Sequence, residues 1–134
     1  MRHVVSLVAL LSLGAAPRGR YLSAAGTVTD RETGLVWAQQ TLPAQSFSQA
    51  QAACAASRVG GSQAWRLASI KELQSLLDDS GLQLSLDPAF RAFRASWSST
   101  PGRAALSHWV LQVDLAAPVT VFSDSTVIEV LCVH

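Results

Sequence analysis

Two short β-prone runs, Gly26 to Asp30 and Leu35 to Gln39, flank Asp30-Arg31-Glu32-Thr33-Gly34, a cluster of turn residues, and together they predict a hairpin. A helical window follows from Phe47 to Ser57. Ser46 with Gln49 three residues on makes a capping box, and Phe47, Ala50, Ala53 and Cys54 share one face. Ser69 with Glu72 signals a second helix, on which Ile70, Leu73, Leu76 and Leu77 form an apolar stripe and Gly81 marks the stop. Residues 82 to 95 show no clean period and read as a long connection. The last third turns to strands. His108 to Leu115 alternates, Val119 to Ser123 is a short partner across an Ala-Ala-Pro turn, and Ile128, Val130 and Cys132 share a face in Ile128 to Val133. A strand pair, two helices and then several strands is an α+β order, not an alternating βαβ one.

The first sixteen residues read differently. Met1-Arg2-His3 is a short basic start, Val4 to Leu13 is an apolar run, and Gly14-Ala15-Ala16 supplies the small residues of a signal-peptidase site. This predicts a signal peptide at 1–16, a domain over 20–134 and a secreted, periplasmic or cell-surface location. No stretch reaches the length of a membrane-spanning helix. Residues 17–134 carry nine basic and nine acidic side chains, so nothing in the charge balance seeks a polyanion such as nucleic acid. Export into an oxidising compartment favours a disulfide between Cys54 and Cys132, the only two cysteines. The alternative, a metal site at Cys132 and His134, lacks ligands for a tetrahedral shell.

Several blocks then carry a resemblance. Thr27-Val28-Thr29-Asp30 with Thr33-Gly34-Leu35 and Trp37, then Trp65-Arg66-Leu67 with Lys71-Glu72-Leu73-Gln74-Ser75-Leu76, then Trp97-Ser98-Ser99-Thr100 and the terminal Cys132-Val133, resemble in order the Lcl C-terminal domain family of bacterial secreted proteins. The resemblance implies a C-type-lectin-like fold related to formylglycine-generating enzymes. In that fold the chain ends pair in one sheet, two helices flank it, and a second small sheet carries an irregular binding surface. It also implies a bond between the helix and last-strand cysteines, and a surface module with no known reaction; the adhesin for which the family is named binds sulfated polysaccharides. The sequence departs from the family at Ala68, at Leu115-Ala116-Ala117-Pro118, and at Leu131 and His134, where arginines are usual, which weakens a carry-over of polyanion binding.

Candidate chemistry is sparse. Trp37, Trp65, Trp97 and Trp109 suit the core better than sugar stacking, because large aromatics are highly buried on average. Trp97, leading into a Ser-Ser-Thr-Pro-Gly loop, is the best placed of them for a ligand. Arg66 with Glu72 reads as a structural ion pair. Arg91, Arg94 and Arg103 form a basic segment without an intervening acid, and arginine's planar fork suits sulfate or carboxylate; the competing reading is a solvated loop. With Trp97 and His108, these arginines are the expected ligand-binding residues. Catalysis is not expected. Gly60-Gly61-Ser62 is an incomplete nucleophile elbow, a Ser-His-Asp set from His108 and Asp114 has no positional support, and both cysteines are assigned to the bridge. The sequence has no Asn and no calcium-binding triplet, so neither a metal nor any other cofactor is expected. The expected function is a non-catalytic binding module for an anionic polysaccharide or a surface protein. The alternative is a structural domain that self-associates.

Overall fold

In the computed structural model, which describes residues 19–78, 85–114 and 118–134, the chain opens on a hairpin of β1 (Tyr21–Ala24) and β2 (Thr27–Asp30). Ala25 and Gly26 between them both take positive φ, 54° and 82°, the conformation that lets a two-residue loop follow the twist of its strands. The expected hairpin comes next: β3 (Val36–Ala38) pairs antiparallel with β2, placing Val28 opposite Trp37. The predicted signal peptide, the Gly81 stop and positions 115–117 of the Ala-Ala-Pro turn lie outside the described residues.

Asp30 organises the loop between β2 and β3. Its fully buried carboxylate accepts the fork of Arg20 at 2.8 and 2.7 Å, the Thr33 hydroxyl at 2.9 Å and the Glu32 N–H at 3.0 Å. Burial alone would raise its pKa. The bonds from Arg20, Thr33 and Glu32 outweigh that and hold it at about 2, below the ordinary 3.8.

β4 (Leu42–Gln45) leads into α1 (Phe47–Ala56), where the Ser46 N–H donates to Gln49 Oε1 at 3.3 Å as the capping box requires. Ala50 and Cys54 are its buried face. A 3₁₀ turn, Val59–Gly61, follows, and Gly60 (φ 62°) lets it lie against β2, since a Cβ there would stand 2.7 Å from the Thr27 methyl. After β5 (Arg66–Leu67), the second capping box forms at Ser69: its hydroxyl accepts the Glu72 N–H at 3.1 Å, and its N–H donates to Glu72 at 2.8 Å. Ser69→Ala is expected to cost about 1 kcal/mol, read as a lower urea midpoint with unchanged slope.

The helix it starts, α2 (Ile70–Gln74), is shorter than the apolar stripe predicts. The Ser75 hydroxyl bonds back to the Glu72 carbonyl at 2.6 Å and the Leu76 N–H reaches Leu73 O, so the last turn tightens and stops. Leu77, expected on the helical stripe, belongs instead to β6 (Leu77–Asp78), paired with β7 (Ser85–Leu86). The expected long connection thus contains a strand, and its last residue opens β8 (Ala95–Pro101), which takes in the supposed Ser-Ser-Thr-Pro-Gly loop as far as Pro101.

β9 (Ser107–Gln112), β10 (Val119–Ser123), β11 (Ile128–Val130) and β12 (Cys132–Val133) complete the chain. The larger sheet runs β1-β2-β3-β12-β5, a second runs β10-β9-β8, and β11 pairs with β4, all antiparallel. This is the expected α+β class. Both described ends of the chain do share one sheet, but β12 pairs with β3 and β5, with β2 and β3 standing between it and β1. Trp37, Trp97, Leu73, Leu111, Leu131 and Val130 are fully buried in the single core. Cys54 of α1 is bonded to Cys132 of β12, so the expected disulfide clamps helix to sheet.

Candidate functional site

The motif residues serve mainly to hold the molecule together. Trp97 is fully buried, with its indole N–H donating to Gln45 O at 2.9 Å and the Phe47 ring edge-on at 5.7 Å. It therefore has no face to offer a sugar, and its expected ligand role is corrected. The serines beside it replace missing backbone partners. Ser96 Oγ accepts the Leu131 N–H at 2.8 Å and Ser98 Oγ donates to Trp109 O at 2.7 Å. Trp65 is buried and donates to Val59 O, and Trp37 is buried as well; Trp109 is half-buried. Arg66 grips Glu72 with both nitrogens, at 2.9 and 3.0 Å, and this lowers the Glu72 pKa; the ion pair is structural, as expected.

The three arginines do not form one cluster. Arg91 and Arg94 precede β8 and Arg103 follows it, so an extended strand on the order of 20 Å long lies between them. Arg94 is strongly exposed and meets Asp114 only loosely, at 3.8 Å. Arg103 is exposed on the β8–β9 turn. His108, opposite Pro101 in the register, is at Arg103's end of the sheet. Its half-buried ring stacks on Phe47 with centroids 3.5 Å apart, and its Nδ1 lies 2.7 Å from Asp124 Oδ1. The His108 ring thus joins α1 to the turn after β10, and it pairs with Asp124 instead of Asp114.

Arg91 lines a concavity. A cleft of about 360 Å³ lies between the β1–β2 turn, the end of β3, the start of β4 and the 3₁₀ turn. Its polar lining is Arg91, Gln39, Gln40 and Ser57; Ala38, Leu42, Val59 and Cys132 give it an apolar wall. Two bonds fix its geometry: the Arg91 N–H donates to Gln39 O at 2.9 Å, and the Gln39 amide donates to Ala89 O at 3.1 Å. A guanidinium can take a sulfate or carboxylate here, amide and hydroxyl groups can pair with sugar hydroxyls, and the aliphatic wall can meet a ring's C–H face. Among the described residues no three His, Cys, Asp or Glu side chains are grouped to hold a metal ion.

The family model of the Lcl C-terminal domain matches residues 26–134. The chain belongs to that family. No curated protein and no solved structure gives a significant match. In this Lcl C-terminal domain, Asp30, Trp65, Arg66, Glu72, Trp97 and Ser98 all make contacts that hold the fold, and none of them lines the Arg91 cleft. The cleft residues Gln39, Gln40 and Ser57 escaped the sequence reading. They lie far apart from Arg91 in sequence, and none sits in a distinctive motif.

Proposed function

We propose that the domain is a secreted or cell-surface binding module, without catalysis, that recognises an anionic polysaccharide through the Arg91 cleft. One observation carries this reading: a single arginine, two glutamines and a serine converge on a concavity with an apolar wall. The volume lies within the about 300–1,000 Å³ typical of small-ligand sites, so it suits one or two sugar units of a longer chain. The disulfide and the absence of any helix long and apolar enough to cross a membrane, among the described residues, fit an extracellular setting. The antiparallel sheets with two helices are consistent with a C-type-lectin-like arrangement, which we infer from family membership. A non-catalytic role is supported by the two cysteines, which are consumed in the bridge and so leave no thiol for formylglycine-type chemistry.

Heparin retention tests the reading. Arg91→Ala is expected to lower the eluting salt concentration with no change in Tm, while Arg94→Ala, which does not line the cleft, has a smaller effect. Unchanged elution of Arg91→Ala, or a wild type that flows through at low salt, would refute it.

A further inference from the structure

We infer that β10 is an open sheet edge that pairs with β10 of a second copy of this chain, antiparallel and two-fold about Val121. The sheet runs β10-β9-β8, so β10 has a strand on one side only, whereas the far side of β8 is engaged by the Ser99 N–H, which donates to Ala68 O at 2.8 Å. In an antiparallel ladder, hydrogen-bonded pairs alternate with non-bonded ones. The Gln112 N–H donates to Pro118 O at 2.6 Å and the Asp124 N–H to Leu106 O at 2.8 Å, which fixes the alternation between β9 and β10. Thr120 and Phe122 therefore spend their main-chain groups on β9, and those of Val119, Val121 and Ser123 point out of the sheet. Among the described residues, the one outward main-chain group with a backbone partner is Ser123 O, which accepts the Thr126 N–H at 2.9 Å.

Composition marks this edge as one built to pair. Exposed edges are ordinarily blunted by lysine, by an inward charge, by proline or by a bulge. Val119–Ser123 reads Val-Thr-Val-Phe-Ser, with none of these and an unbroken register against β9. Its middle residue, Val121, is a large apolar side chain left 37% exposed. The outer strands of the larger sheet differ: β1 follows directly on Arg20, and β5 has two residues, one of them Arg66.

The open groups select the occupant. They belong to three residues spaced evenly about Val121, so a second β10 run antiparallel matches them one to one: Val119 with Ser123, and Val121 with its own counterpart. The same register sets Thr120 opposite Phe122, a β-branched residue against an aromatic, and places the exposed Val121 side chains together on the two-fold axis. A slip of one residue would set groups already held by β9 against open ones, and a slip of two would lose pairs at the end. A free peptide has the same main-chain groups but must be ordered into a strand to use them. The second copy brings its strand already extended and twisted, and avoids that entropy cost. No β10 residue lines the Arg91 cleft, so the pairing does not use it. A pair carries two such clefts, and on the proposed function one long polysaccharide engages both.

The test is sedimentation equilibrium of the oxidised protein over a range of concentrations, joined to amide hydrogen exchange at both ends of that range. Wild type is expected to show a reversible monomer–dimer equilibrium. The amides of Val119, Val121 and Ser123 should be protected only where the dimer forms, and those of Thr120 and Phe122 at every concentration. Val121→Pro removes an outward N–H and no bond to β9, so it should raise the dimer dissociation constant at least about tenfold while the Thr120 and Phe122 amides stay protected. Val121→Lys, which sets like charges face to face, should weaken the dimer too, and Val121→Thr and Arg91→Ala should pair as wild type does. A wild type that is monomeric throughout would overturn the inference. So would a dimer that survives both Val121→Pro and Val121→Lys, or one whose concentration-dependent protection falls on β1 instead of Val119, Val121 and Ser123.

Discussion

Replacing Cys54 and Cys132 together by alanine is expected to destabilise the domain by about 4.5 kcal/mol, the chain-entropy cost of releasing a loop with a sequence separation of 78. Typical domains have only about 5–15 kcal/mol in total, so the variant should be close to unfolding at ambient temperature. The bond joins α1 to β12, and β12 lies between β3 and β5 in the larger sheet, so its loss loosens helix and sheet together. Both sulfurs are buried, which makes alanine a better replacement than serine, whose hydroxyl would need a partner. Urea unfolding of wild type and variant measures the effect directly. The reduced or substituted chain should also show a steeper slope, because its unfolded state exposes more surface. Equal midpoints would show that the bridge is dispensable.

The second large effect centres on Asp30. Asp30→Ala removes every partner of the Arg20 fork in that loop except exposed Glu32 and leaves Thr33 and the Glu32 N–H without their acceptor. The expected loss is about 3 kcal/mol, at the lower end for a broken buried pair because Arg20 is partly exposed and can regain water. The same carboxylate sets an acid dependence. Its folded-state pKa is depressed, so its contribution is fully present above the unfolded value of 3.8 and is lost as pH falls through about 2. Wild type should therefore lose about 2 kcal/mol over that window from this group, and Asp30→Asn should show a shallower pH dependence of Tm there. A parallel pH profile for the two proteins would mean that the Arg20 bonds do not persist in solution.

Where a local pattern had one interpretation, sequence and structure agree. The capping boxes at Ser46 and Ser69, the hairpin around Asp30 and the Cys54 face of α1 are all set by short-range rules. α2 is cut short because Leu76 and Leu77 satisfy a helical stripe, but after a tightened turn that Ser75 closes Leu76 is still buried and Leu77 half-buried. β1 and β4 give no clear pattern since each is four residues long with no buried residue, and Pro43 argues against a strand except at an edge. Ser-Ser-Thr-Pro-Gly has the composition of a loop, yet its first serine, Ser98, and Ser96 just before it are buried in a strand because their hydroxyls bond the backbone of Trp109 and Leu131. The candidate site was only partly legible. Arginine chemistry pointed to Arg91, but the choice among Arg91, Arg94 and Arg103 depends on the direction of β8, and the remaining cleft residues are assembled by the turn at Gly26, the 3₁₀ segment and the bridge.

The most direct measurement is an amide NMR titration of the oxidised protein with a size-defined sulfated oligosaccharide at low and physiological salt. Shift changes concentrated at Gln39, Gln40, Ser57 and Arg91, reduced by salt and absent in Arg91→Ala, are the predicted result. Changes confined to Arg103 and the β8–β9 turn, or none at all, would contradict the assignment of the cleft as the glycan site.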